Sequence, residues 1–223
     1  MSLHLILDIQ HAGRPDKPGD LGAAFDLDGD GVLGENGERE VDLVRGYVAA
    51  ATTYARELGH RVSVLETGTY GQRHATAIRL AHGAPGVDHV YLACHVNAGG
   101  GAYGLLRPDY RSAAGAARAQ ALAVALSRLH ELRHAGALPG CRVVPLYPSA
   151  DRAGAAGRDV SDAGKVGWWT RGWGCIDGTY SGPSNLCGVL VEPGFIDSSA
   201  HRTLWTPDGL ARIGRALVDG GAA

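Results

Sequence analysis

Leu3-His4-Leu5-Ile6-Leu7-Asp8-Ile9 is a nearly unbroken apolar run that stops at Gln10 and His11. Two later runs have the same form: His89-Val90-Tyr91-Leu92-Ala93-Cys94 stops at His95, and Gly188-Val189-Leu190-Val191 stops at Glu192. Such runs read as strands buried on both faces, which is how a parallel sheet covered by helices looks in sequence. In open α/β sheets the functional groups gather beyond the carboxyl ends of the strands. His11, His95 and Glu192 are therefore expected at one edge of one sheet, although they are far apart in the chain. Two imidazoles and nearby carboxylates at such an edge suit a catalytic zinc ion.

Between these runs the pattern alternates between helix and strand. Residues 38–58 read as an amphipathic helix, with Val41, Val44, Val48, Ala51, Ala55 and Leu58 spaced by three and four and Gly59 as its stop. Residues 61–65 read as a short strand, 67–71 as a turn, 72–81 as a second helix and 113–132 as an Ala/Leu helix. Residues 141–146 read as a further strand and 206–218 as a closing helix, while 147–186 show no clear periodicity. The expected fold class is α/β: one layered domain over residues 1–223, with a mostly parallel twisted sheet and helices on both faces. A long acidic insertion, rich in Gly, Asp and Pro, occupies about 14–37; so long a loop in a compact domain is usually functional or bound to something.

Composition narrows the function classes. A net charge of -2 and a pI of about 6.5 give no electrostatic case for a nucleic-acid partner. No apolar run suits membrane insertion, and the N-terminus does not read as a secretory leader. The four cysteines, Cys94, Cys141, Cys175 and Cys187, form no CxxC pair. Cys94 is expected to point into the core, and Cys175 and Cys187 are either bridged across a loop or reduced. Gly99 to Gly101 lacks the Gly-Lys-Ser/Thr ending of a phosphate loop. His130 and His134 are four apart on a helix but lack the carboxylate of an HExxH motif.

A hydrolytic zinc needs three protein ligands and an open position. The third ligand is expected at the start of the 38–58 helix, where Glu38 and Glu40 are both candidates. Glu192, ending a buried strand, is the candidate for moving the proton from water to the leaving group. A second metal motif lies in the insertion. Asp26-Leu27-Asp28-Gly29-Asp30-Gly31-Val32 has the opening of an EF-hand calcium loop, with carboxylates from Asp26, Asp28 and Asp30 and the backbone carbonyl of Val32 as ligands. Position twelve is Gly37 where that loop has a bidentate Glu, with Glu35 or Glu38 as the available substitute. Trp168-Trp169-Thr170-Arg171-Gly172-Trp173 offers aromatic faces that either wall a cleft or cover the core.

The motifs together resemble the zinc-dependent N-acetylmuramoyl-L-alanine amidases of the Amidase_3 type. That family's Asp-x-Gly-His-Gly stands here as Asp8-Ile9-Gln10-His11-Ala12, with both glycines replaced. Its Ser-Ile-His-x-Asn-Ala is similar to Ala93-Cys94-His95-Val96-Asn97-Ala98, and its Leu-Val-Glu-x-Gly-Phe-Ile to Leu190-Val191-Glu192-Pro193-Gly194-Phe195-Ile196. Arg73 resembles the arginine ahead of the family's second helix. The resemblance implies zinc ligands His11 and His95, with Glu40, or alternatively Glu38, as the third, and Glu192 as the catalytic glutamate. It further implies cleavage of the amide between N-acetylmuramic acid and L-alanine in peptidoglycan. Asn97, Arg73 and Trp173 are the expected substrate contacts, with orientation of His95 as a second role for Asn97.

The expected partner is therefore the peptidoglycan wall, acted on either by a phage-type lysin or by a secreted cellular enzyme, and the chain is expected to be a monomer. One rival is a carboxypeptidase-like zinc enzyme using Arg73, Arg107 or Arg171 to hold a carboxylate. The other is a calcium-dependent wall-binding module without catalysis.

Overall fold

Side chains along a strand point alternately to opposite faces, so each apolar run feeds two layers at once. The computed structural model describes residues 3–100, 104–108, 113–131, 141–143, 176, 179 and 182–223. The chain runs β1 (Leu3–Ile9), α1 (Glu40–Glu57), β2 (Arg61–Leu65), α2 (Tyr70–His82), β3 (Asp88–Cys94), β4 (Gly104–Pro108), α3 (Ala113–Glu131), β5 (Cys141–Val143), β6 (Leu186–Glu192), a 3-10 helix (Ser199–Leu204) and α4 (Pro207–Ala222). The strands form one sheet in the order β2-β1-β3-β6-β4-β5. β2, β1, β3 and β6 are mutually parallel; β4 is antiparallel to β6, and β5 is parallel to β4. This is the mostly parallel α/β architecture expected from the three runs.

The two faces differ in character. Leu3, Leu5, Leu7 and Ile9 of β1 pack with Val90, Leu92 and Cys94 of β3 and Val189 and Val191 of β6 beneath α1, α3 and α4. Ile6, Tyr91, Ala93 and Leu190 face the other way, against Ala77 and Ala81 of α2. The alternate positions on that second face also include His4, Asp8 and His89, all buried. Among the described residues no helix is long and apolar enough to cross a membrane.

Several boundaries differ from the pattern reading for local reasons. α1 begins at Glu40, not at residue 38, because Arg39 is extended and Ala24 bridges to it. Leu58, expected on the apolar face, is 50% exposed, since the chain leaves the helix through Gly59 at φ 77°. α2 starts at Tyr70 because Thr69 and Gln72 form a capping box, a Thr-x-x-Gln signal present in the sequence. Thr206 caps α4 ahead of Pro207, and the helix runs on to Ala222. β4 was not expected: its short Gly-Leu-Leu-Arg-Pro stretch is a strand by virtue of pairing with β6. Of the expected strand at 141–146, residues 144–146 lie outside the described residues.

The carboxyl end of β1 is held by one buried cation. Arg73 on α2 is 1% exposed, and its Nη1 pairs with the fully buried carboxylate of Asp8. The same guanidinium donates to the carbonyls of Ile9, Ala12 and Gly68. Asp8 also accepts from the Tyr91 hydroxyl and from Gln10 Nε2. The chain between Ile9 and Ala12 needs this grip, because His11 sits at φ 64°, a left-handed conformation that costs a residue with a side chain about 1 kcal/mol or more. At the opposite end of the sheet His4 and His89 lie side by side, with ring centroids 4.9 Å apart. His4 Nε2 meets Ser63 Oγ at 2.9 Å. Burial, then the neighbouring His89 and Arg61, lowers the His4 pKa from 6.5 to about 4.

Two outcomes are expected. Lysine in place of Arg73 offers a point charge instead of a planar fork, so Arg73→Lys should lower unfolding stability by at least about 2 kcal/mol in urea titration; an unchanged midpoint would show that the sheet edge does not depend on the clamp. For His4, the unfolded chain binds the proton more readily than the folded one. Stability from this residue is thus full above pH 6.5 and is lost as pH falls toward 4, by up to about 3 kcal/mol. Unfolding curves between those limits should be flatter for His4→Leu than for the wild-type chain.

Candidate metal centre and active site

The central strands finish in one row. Ile9 of β1 pairs with Cys94 of β3, and Cys94 with Val191 of β6. His11, His95 and Glu192 follow that row within two residues. Pairing continues past the strand ends: the His95 amide donates to Val191 O at 2.9 Å, the Asn97 amide to Gly194 O at 2.9 Å, and the Ile196 amide to Asn97 O at 2.8 Å. The amino terminus of α1 is brought to the same edge by the insertion, through the Glu40 amide on Ala23 O at 2.8 Å.

There Glu40, not Glu38, meets the histidines. Glu40 Oε1 is 2.9 Å from His95 Nδ1 and 3.4 Å from His11 Nε2. Ligand atoms of His11, Glu40 and His95 all lie within 4.8 Å of one another. Glu38 is turned the other way, its Oε1 accepting the amides of Leu27 and Asp28 at 2.6 and 2.7 Å. Burial disfavours the Glu40 carboxylate, but hydrogen bonds from His11 and His95 outweigh it and hold the group well below the usual carboxylate range. Burial likewise works against a charged His11, while Glu40 and Asp20 together raise its pKa. The donor set suits zinc, which is commonly held by imidazole nitrogens and carboxylate oxygens; bonds of about 2.0–2.2 Å put neighbouring ligand atoms roughly 3.3 Å apart.

Tyr47, two turns after Glu40 on α1, donates its hydroxyl to the His95 carbonyl at 3.0 Å. Its full burial, reinforced by Cys94 and Glu40, raises its pKa well above the ordinary value and keeps the donor protonated. Asn97 Nδ2 donates to Glu192 Oε2 at 2.9 Å and so orients the glutamate. Asp197 accepts the amides of Gly99 and Gly100 at 2.8 and 3.0 Å and ties the loop after β3 to the loop after β6.

Arg73 is not placed as a substrate contact: it is buried, and its donors are committed to Asp8 and three carbonyls. That also removes it as the carboxylate holder of a carboxypeptidase. Trp173, Arg171, Cys175 and the Arg107 side chain lie outside the described residues. In the insertion, carboxylate oxygens of Asp26, Asp28 and Asp30 come within 4.8 Å of one another. Asp26 accepts the amides of Gly29 and Gly31, and Asp30 that of Val32. Neither Glu35 nor Glu38 joins this exposed group.

Sequence reading missed two contributors. Tyr47 was findable, since it shares a helix face with Glu40. Asp20, whose Oδ1 is 2.7 Å from His11 Nδ1, had no signal in an irregular loop of glycines and aspartates.

No protein-family model matches the chain, and no curated protein matches it. Solved structures do share its fold. Cwp6 from Clostridium difficile superposes with a TM-score of 0.65 at 17% identity, over 99% of this chain and 29% of that one. The N-acetylmuramoyl-L-alanine amidase AmiC2 of Nostoc punctiforme gives 0.57 at 13% identity, over 99% and 95%. The catalytic domain of CwlV, an N-acetylmuramoyl-L-alanine amidase from Bacillus (Paenibacillus) polymyxa var. colistinus, gives 0.58 at 15% identity, over 99% and 96%. At such identities the likeness is one of fold: this chain has the fold of those N-acetylmuramoyl-L-alanine amidase structures.

Proposed function

We propose that this protein hydrolyses the amide between the lactyl group of N-acetylmuramic acid and L-alanine in peptidoglycan, with a zinc ion held by His11, Glu40 and His95. The convergence of those three ligand atoms at the sheet edge, one strand from Glu192, carries the reading. The shared fold with solved amidases supports it.

A zinc ion in this set supplies Lewis-acid polarisation of the amide carbonyl and eases deprotonation of water at the site. Glu192 accepts the proton of the attacking water and returns it to the alanine nitrogen as the C–N bond breaks. Asn97 holds one oxygen of Glu192 at 2.9 Å and so sets the plane of that carboxylate. Tyr47 fixes the backbone of His95 from beneath. The reaction uses water and leaves a lactyl carboxylate and a free amine on L-alanine. The protein thus acts on the cell wall, whether released by lysis or exported.

Elemental analysis should find about one zinc per wild-type chain and little in His95→Ala. Purified wall digested by the wild type should gain amino-terminal alanine, without new reducing sugar and without released carboxy-terminal D-alanine. Glu192→Gln should keep its zinc and lose roughly 10²–10⁴-fold in turnover. Zinc-free wild type with lysis indifferent to chelator would reject the reading, and release of D-alanine would transfer it to a carboxypeptidase.

A further inference from the structure

The acidic insertion reaches the site at two points, both between residues 20 and 23. Asp20 Oδ1 lies 2.7 Å from His11 Nδ1, on the side of the ring away from Glu40, which faces Nε2. The amide of Ala23 donates to Glu40 Oε2 at 3.1 Å, while Oε1 of the same carboxylate takes His95 Nδ1 and the Val96 amide. Each of these two ligands thus presents one polar atom to the cluster and has the other occupied by the insertion.

We propose that residues 20–23 are the positioning element of the metal centre, with Asp20 aiming His11 and the Ala23 amide aiming Glu40. This rests on the zinc reading above. A carboxylate on Nδ1 keeps the proton there and turns the Nε2 lone pair inward, and such partners commonly govern ligand orientation and metal affinity. Asp20 is itself held. Its Oδ1 accepts the Gly22 amide at 3.3 Å, and its Oδ2 is 3.5 Å from Arg14 Nη1. Arg14 is anchored on Asp16 at 2.6 Å and over the Tyr70 ring at 4.1 Å. Backbone pairing fixes the segment on α1, through Glu40 N to Ala23 O and Val41 N to Leu21 O. Gly22 has φ 73°, and a Cβ there would stand 2.5 Å from Glu40 Oε2 and 2.7 Å from Glu40 Cβ. The close approach of the insertion to the ligand therefore requires glycine.

The test is zinc affinity of the metal-free full chain by chelator competition, with thermal melting alongside. Asp20→Ala should weaken zinc binding about 10–100-fold with its melting curve unmoved, Asp20→Asn should lose less because an acceptor oxygen remains, and Gly22→Ala should also bind more weakly. Asp208→Asn, an exposed carboxylate on α4, should match the wild type. Nitrogen-15 spectra of the metal-free protein at alkaline pH, where imidazoles are neutral, should give His11 as the Nδ1–H tautomer in the wild type and a mixture in Asp20→Ala. Equal zinc affinity in wild type and Asp20→Ala, or an Nε2–H ring in the wild type, overturns the inference and leaves the zinc reading standing. A wild type that binds no zinc overturns both.

Discussion

The buried pair of Arg73 and Asp8 is the interaction on which the geometry of the sheet edge rests. A charge taken out of water is tolerated when it is paired and its remaining donors are satisfied. Arg73 meets both conditions, with Asp8 on one side and the carbonyls of Ile9, Ala12 and Gly68 on the others. Asp8 completes the network by accepting from Tyr91 and Gln10. One guanidinium thereby fastens α2 to β1, to the turn after it and, through Asp8, to β3. Left-handed His11 is sustained because the chain on both sides of it is gripped. Gln10, at a position where the resembling family has glycine, is drawn inward as a donor to Asp8.

The large outlines were legible because they depend on patterns the chain repeats. Three apolar runs implied adjacent buried strands, and parallel strands bring their last residues to a common edge; His11 and His95 did meet there, with Glu192 on the next strand. Glu38 and Glu40 could not be separated by periodicity. They differ in which side of the Ala24–Arg39 bridge they fall, a tertiary contact between a loop and a helix start. Arg73 was expected to touch substrate through the family resemblance alone, and no local pattern reveals that a carboxylate sixty-five positions earlier will neutralise it. Asp20 was illegible for the same reason: its partner is fixed by the path of an irregular loop.

The two faces of the sheet show a division of labour. Beneath α1, α3 and α4 the contacts are apolar and the layer supplies burial. Beneath α2 the apolar cluster is smaller, and buried polar groups occupy both ends of the layer, His4 and His89 at one and Asp8 and Arg73 at the other. Satisfied polar contacts of this kind specify geometry more than they add stability. The end that carries Arg73 is the end that carries the site.

Strand order has a consequence for when the site can exist. β6 lies between β3 and β4 but is made after both. Until it arrives, β4 and β5 have no described strand joining them to β1 and β3, and Asn97 has no Glu192 to hold. A strand inserted late between earlier ones implies distant contacts and slow closure of the sheet. A nascent chain already carries His11, Glu40 and His95, yet it lacks Glu192 until β6 is made. The edge where these residues meet thus closes only once β6 has been made.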